Sequence, residues 1–211
     1  MAKCEFWGEF LKILEQDIKK PFKEKYYLFR QFVENVYGKD IIIVDNSKGI
    51  ITLKRILSFI PSEEIFPILI VKDVRNWTTS AQRKHGGNAV KRYIRWYIEN
   101  KKFYSLFKAI KNGIIMGYEE FALNPEDAIK IVCGKIGVDF DERMLYPKNS
   151  HRHSVFSNRM RYVSYKKENI SYDYRWFTNN SICFANLLLP FVMKLNKKLV
   201  YSNGLHKKFE Q

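Results

Sequence analysis

Cysteine is sparse in this chain. Cys4, Cys133 and Cys183 are odd in number, far apart and form no Cys-x-x-Cys pair. That pattern excludes a disulfide framework, suggests no zinc site, and fits a reducing cytosol. Long apolar runs are missing too. The longest, Ile182 to Val192, contains Asn186 and Pro190 and falls well short of the ~20 residues that span a bilayer. It reads instead as a core helix. Met1 to Glu5 has no apolar segment of the kind that opens a secretory signal, so a cytoplasmic protein without a membrane span is expected. Acidic side chains are outnumbered, 22 against 37 Lys and Arg, for a net charge of +15. Such an excess favours an anionic partner: nucleic acid, a nucleotide, an acidic glycan or a membrane surface. General solubility explains it as well. Repeats, low-complexity tracts and clear interdomain linkers are not seen. With 46% hydrophobic residues over 211 positions, the chain suits one domain, 1–211, with a core of its own. Global disorder is excluded.

The periodicities point to an α/β chain. Phe6, Phe10, Leu14 and Ile18 recur every fourth residue, lining one face of a helix, and Pro21 stops it. A second helix follows, with Leu28, Phe32 and Val36 on one face and Gly38 at its end. Ile41 to Val44 is a short β-branched run without polar alternation, as expected of a strand buried on both faces of a parallel sheet. Ile50 to Phe59 reads as a helix. Phe66 to Val71 repeats the buried-strand pattern, and helical sequence resumes near Trp77. Asn88 to Ile110 predicts one long helix, with Tyr93, Trp96, Tyr97, Phe103 and Phe107 on its apolar face. Gly113 to Tyr118 is a weaker strand. The next helix is the best punctuated: Asn124 caps it, Pro125 opens it, Glu126 and Asp127 suit the positive end of its dipole, and Gly137 closes it. Ile129, Val132 and Ile136 form its inner face. Alternating strands and helices predict a parallel sheet flanked by helices. Lys148 to Lys167 is polar, basic and aperiodic, and reads as a long loop.

Ligands of parallel α/β sheets bind beyond the carboxyl ends of the strands. Two expected strands end in polar clusters, Asp45-Asn46-Ser47-Lys48 and Lys72-Asp73-Val74-Arg75, with Ser80 eight residues after Lys72. A carboxylate there can take a proton, and lysine, arginine and hydroxyl groups can hold phosphate or sulfate oxygens. Each cluster alone is equally a turn or a solvated ion pair. His151 and His153 lie two apart without further evident ligands and read as loop residues rather than a metal site.

The ordered set of motifs resembles the sulfotransferase family that uses 3′-phosphoadenosine 5′-phosphosulfate (PAPS). Ile43 to Lys48 is similar to that family's strand ending in Asp-x-Ser-Lys. Leu69 to Arg75, continued to Ser80, is similar to its Leu-x-x-Arg-Asp-Pro-Arg segment with a serine at the same offset. Tyr118 to Glu126 resembles a Tyr-Glu-Asp-Leu-x-x-x-Pro-Glu junction. His153, Asn158 and Arg161 resemble a late His-x-x-x-Gly-Asn-x-x-Arg loop. Asp173 to Trp176 matches an Asp-x-Arg-Trp landmark, and Cys4 to Trp7 resembles a Cys-Pro-Phe-Trp run. The resemblance implies a P-loop-NTPase-like sulfotransferase fold that moves a sulfuryl group from PAPS to a hydroxyl or amine of a small molecule or glycan, without a metal. It implies Asp45 as general base and Lys72, Ser80, Asn158 and Arg161 as nucleotide ligands. Ser47 and Lys48 contact the acceptor or the sulfuryl group. Transfer of this kind needs positioning and charge neutralisation more than covalent help.

Three departures qualify the resemblance. Lys72 replaces an arginine and lacks the bidentate fork. Ser157 replaces a glycine. Within the 211 residues there is no Gly-x-x-Arg/Lys-Ser-Gly-Thr loop to cradle the 5′-phosphosulfate at a helix N-terminus. A chain without that strand, loop and helix is expected to expose a sheet edge and to self-associate or be poorly stable; the missing unit is encoded upstream, lost, or supplied by a partner. The competing expectation is a non-catalytic basic module for nucleic acid or another anionic polymer, suggested by the aromatics interleaved with Lys91 to Lys108.

Overall fold

A computed structural model describes residues 4–46, 49–146 and 172–205. They belong to two compact units, one holding the described residues up to Ile60 and the other those from Pro61 onward.

Among its described residues the first unit holds three helices: α1 (Glu5–Gln16), α2 (Phe22–Tyr37) and α3 (Ile50–Leu57). Pro21 precedes α2, and Gly38 ends it with φ 90°, a conformation that glycine adopts without a Cβ clash. Phe10, Phe32 and Val33 form the buried centre, and Phe6, Trp7, Leu14 and Phe29 pack around it. Trp7 and Phe29 are stacked with centroids 5.7 Å apart. The faces are rotated slightly from the sequence expectation. Ile18 lies past the end of α1 and is exposed, as is Val36.

Residues Ile41 to Val44 are not a strand. They have no assigned secondary structure and no ladder partner among the described residues. Ile41 and Ile43 pack against the aromatic cluster, while Ile42 and Val44 are exposed. A β-branched run fixes an extended backbone, but a strand also needs a neighbour to receive its hydrogen bonds. The alternating exposure is that of a chain lying on one apolar surface rather than between two.

The second unit carries β1 (Ile68–Val71), α4 (Val74–His85), α5 (Ala89–Lys108), β2 (Ile114–Gly117), α6 (Tyr118–Leu123), α7 (Pro125–Ile136), α8 (Asn180–Leu188) and α9 (Pro190–Val200). The two strands pair in parallel, Ile68 opposite Ile114 through Val71 opposite Gly117. The chain between them, chiefly α4 and α5, supplies the crossover that parallel strands need. The architecture of the described residues is therefore mostly helical, with a two-stranded parallel sheet.

Its main core joins Val71 and Val74 to Tyr93 and Trp96 of α5 and to the inner residues of α8 and α9. Tyr93, Trp96 and Phe107 are buried, so these rings serve the core and offer no stacking platform to solvent. The α7 boundaries follow the sequence: Asn124 Oδ1 accepts from the Asp127 N–H, Pro125 occupies the first turn, and Gly137 sits at φ 75°. Its most buried residues are Ala128 and Cys133; Ile129, Val132 and Ile136 are only half-buried. The expected single helix over Ile182 to Val192 is two, because Pro190 has no N–H to continue α8 and opens α9 instead. No helix among the described residues is long and apolar enough to cross a membrane.

The sheet has only two strands among the described residues, and Ile68 and Ile70 of β1 are 44% and 57% exposed. Edges of this kind recruit other chains. The protein is expected to elute above its 25.2 kDa monomer mass in size-exclusion chromatography, and Ile70→Lys is expected to shift it toward monomer. A monomeric wild type with a single cooperative unfolding transition contradicts this.

Candidate functional site

The site grows from the junction of β1 and α4. Val71 ends the strand, and Asp73 caps the helix by accepting the Arg75 N–H at 2.8 Å. Residues spaced three, four and seven apart share a helix face, so the face that begins at Asp73 returns at Ser80. This brings Lys72 Nζ to 3.5 Å from Ser80 Oγ. The Lys72 ammonium also lies 3.4 Å from Asp173 Oδ2 and 5.3 Å from the centre of the Tyr118 ring. Trp96 Nε1 donates to the Lys72 carbonyl at 3.0 Å and fixes the backbone from α5. Asp173 is shared, because Arg175 Nε and Nη2 donate to it at 2.6 and 2.5 Å. Burial, helped by the negative charges of Glu119 and Asp173, raises the Tyr118 phenol and keeps it neutral.

Beneath Lys72 lies a buried polar scaffold. The Asp73 carboxylate is fully buried. It accepts from Arg75 Nε at 2.9 Å and Nη2 at 2.6 Å, from Asn196 Nδ2 at 2.9 Å and from the Tyr201 hydroxyl at 3.1 Å. Asn196 Oδ1 takes the Val74 N–H at 2.8 Å. The Arg75 guanidinium rests on the Trp176 ring, 4.1 Å from its centre. Glu119 is equally buried. Its two oxygens accept from the Asp73 N–H and from Asn76 Nδ2, both at 2.8 Å. These bonds clamp the turn that presents Lys72.

The two carboxylates titrate in opposite senses. Burial pushes Asp73 upward, but the Arg75 bonds and charge, with Asn196, overcome it and hold Asp73 below the usual aspartate range. Burial is the largest influence on Glu119 too, and the nearby Asp73 charge adds to it. Its hydrogen bonds from Asn76 and the Asp73 N–H do not offset this, so Glu119 is raised above its ordinary value of 4.5. Asp73 therefore contributes stability that is present above its ordinary value and lost as pH falls through its lower folded value. The Glu119 contribution is present below 4.5 and lost as pH rises through its raised folded value. Glu119→Gln is expected to flatten the decline in urea midpoint above pH 4.5. It is also expected to lower the midpoint at every pH, since an amide nitrogen faces one of two donors, a loss of about 1–3 kcal/mol. An unchanged pH slope contradicts the assignment.

Of the residues singled out by sequence, Lys72 and Ser80 meet at the end of β1. Asp45 belongs to the first unit, where it is exposed at the end of the extended segment. There, after burial, its charge is the next influence raising the Tyr26 phenol. Ser47, Lys48, His151, His153, Asn158 and Arg161 lie outside the described residues. Sequence reading placed Tyr118 and Asp173 only as landmarks, yet both face Lys72. It missed Asn196 and Tyr201, which have no local signature because they arrive from α9 and the turn after it. Comparison with models of protein families, with curated proteins and with solved structures returned no match.

Proposed function

We propose that the β1–α4 junction binds the 3′-phosphate of an adenosine 3′,5′-bisphosphate nucleotide, and that the chain is a sulfotransferase-like protein using PAPS. The supporting observation is the convergence of the Lys72 ammonium and the Ser80 hydroxyl, 3.5 Å apart, beyond the carboxyl end of a parallel strand. Together they offer a cation and a hydroxyl donor to one phosphate. Asp173 holds Lys72 meanwhile. Because Asp173 also has Arg175, an incoming phosphate can take Lys72 without leaving that carboxylate unpaired. The resemblance also gives Asn158 and Arg161 a role toward the nucleotide. Asp45 accepts the proton of the acceptor hydroxyl or amine as its new bond to sulfur forms and the bond to the bridging oxygen breaks. Ser47 and Lys48 hold the acceptor or the sulfuryl group. The fold implied is P-loop-NTPase-like, with a 5′-phosphosulfate cradle that these 211 residues do not themselves contain.

Calorimetry with PAP, the desulfated product, tests the proposal. Wild type is expected to bind. Lys72→Ala is expected to weaken binding at least about tenfold, and Ser80→Ala by a smaller factor. Lys72→Arg is expected to tighten it, because the guanidinium adds a second parallel hydrogen bond. Absence of PAP binding by wild type removes the assignment.

A further inference from the structure

Ser80 also lines a groove of about 310 Å³ whose other walls the proposed nucleotide site does not use. Its walls are Trp77, Ser80, Lys84 and His85 of α4 and Arg92 and Arg95 of α5. No carboxylate lines it among the described residues. Lys84 and His85 occupy the last turn of α4, where cations suit the negative end of a helix dipole. That accounts for two of the basic groups and not for Arg92 and Arg95, which come from a different helix and point into the same space. Arg92 is anchored by donating from Nε to the Gly86 carbonyl at 3.0 Å. Arg95 donates from Nε to Glu99 at 2.8 Å, and its side chain is 68% exposed. Both guanidiniums keep further N–H donors for a ligand. The half-buried Trp77 indole adds an apolar wall that suits the ring of a sugar or a small cyclic molecule.

We infer that this groove is a second oxyanion site, adjoining the nucleotide site across Ser80, and that it takes a small organic ligand carrying phosphate, sulfate or carboxylate. The groove's place beside a nucleotide site rests on the function proposed above; the anion site itself does not. Lys84, Arg92 and Arg95 face the ligand's charge, and its ring lies on Trp77.

Equilibrium binding of glucose 6-phosphate to the full chain, beside PAP, tests this. Lys84→Gln with Arg95→Gln changes two exposed side chains and is expected to leave the urea midpoint unchanged. Glucose 6-phosphate is expected to bind wild type and to weaken at least about tenfold in that double variant. Lys72→Ala, outside the groove, is expected to change its affinity by less than about threefold. Failure of wild type to bind it, or binding indifferent to Lys84→Gln/Arg95→Gln, overturns the inference. Binding of glucose 6-phosphate without PAP binding rejects the nucleotide reading and leaves the groove standing. The converse rejects the groove alone.

Discussion

Asp73→Ala is expected to destabilise the second unit by about 3–5 kcal/mol. The substitution removes a buried carboxylate on which five donors converge: the Arg75 N–H, its Nε and Nη2, Asn196 Nδ2 and the Tyr201 hydroxyl. Arg75 is then left with its charge largely out of water, its side chain only 18% exposed, and with the Trp176 face and the Tyr201 oxygen as neutral neighbours. An orphaned charge of this kind costs far more than the net value of the pair. Against a typical domain stability of about 5–15 kcal/mol, the loss leaves little margin. The measurement is the urea midpoint of the full chain. Asp73→Asn keeps the shape and one oxygen, and is expected to lose about 1–3 kcal/mol. A midpoint for Asp73→Ala within experimental error of wild type would falsify the view that this network clamps the Lys72 turn.

Gly117→Ala is expected to cost about 3 kcal/mol or more, at the upper end of overpacking losses. The backbone at Gly117, φ −73° and ψ 134°, is open to any residue, so conformational freedom is not the reason for glycine. Space is. A Cβ there meets the Val200 carbonyl oxygen at 1.7 Å and its carbon at 2.6 Å, and these are backbone atoms that a rotamer change cannot move. The end of α9 must retreat from β2, and Asn196 and Tyr201, which bind Asp73, lie on or just after that helix. Thermal unfolding measures the loss. Gly134→Ala is the control. It lies inside α7 with nothing within 4 Å of an added Cβ and is expected to stabilise by up to about 1 kcal/mol. Equal melting temperatures for the two variants contradict the close approach.

These two predictions also separate what sequence conveys from what it does not. The Lys72–Ser80 pair was readable because one strand end and two helical turns determine it. The same holds for α7, whose cap, opening proline and closing glycine are all local. The partners of Asp73 come from 123 and 128 residues away, and nothing in Asn196 or Tyr201 marks them as ligands of a distant carboxylate. Gly117 was hidden for the same reason, since its clash is with Val200. Ile41 to Val44 misled because a buried-strand composition specifies extension and apolar contact but not the presence of a neighbouring strand. The basic groove was overlooked because Lys84 and Arg95 fall on different helices, and each alone reads as a solvated face.

Recognition of a 3′-phosphate at Lys72 and Ser80 is tested most directly by calorimetry comparing PAP with adenosine 5′-monophosphate. The two nucleotides differ only in the 3′-phosphate. PAP is expected to bind at least about tenfold more tightly, through the charge-assisted bonds of Lys72 and the Ser80 hydroxyl. Equal affinities, or a PAP preference that survives Lys72→Ala with Ser80→Ala, contradict it.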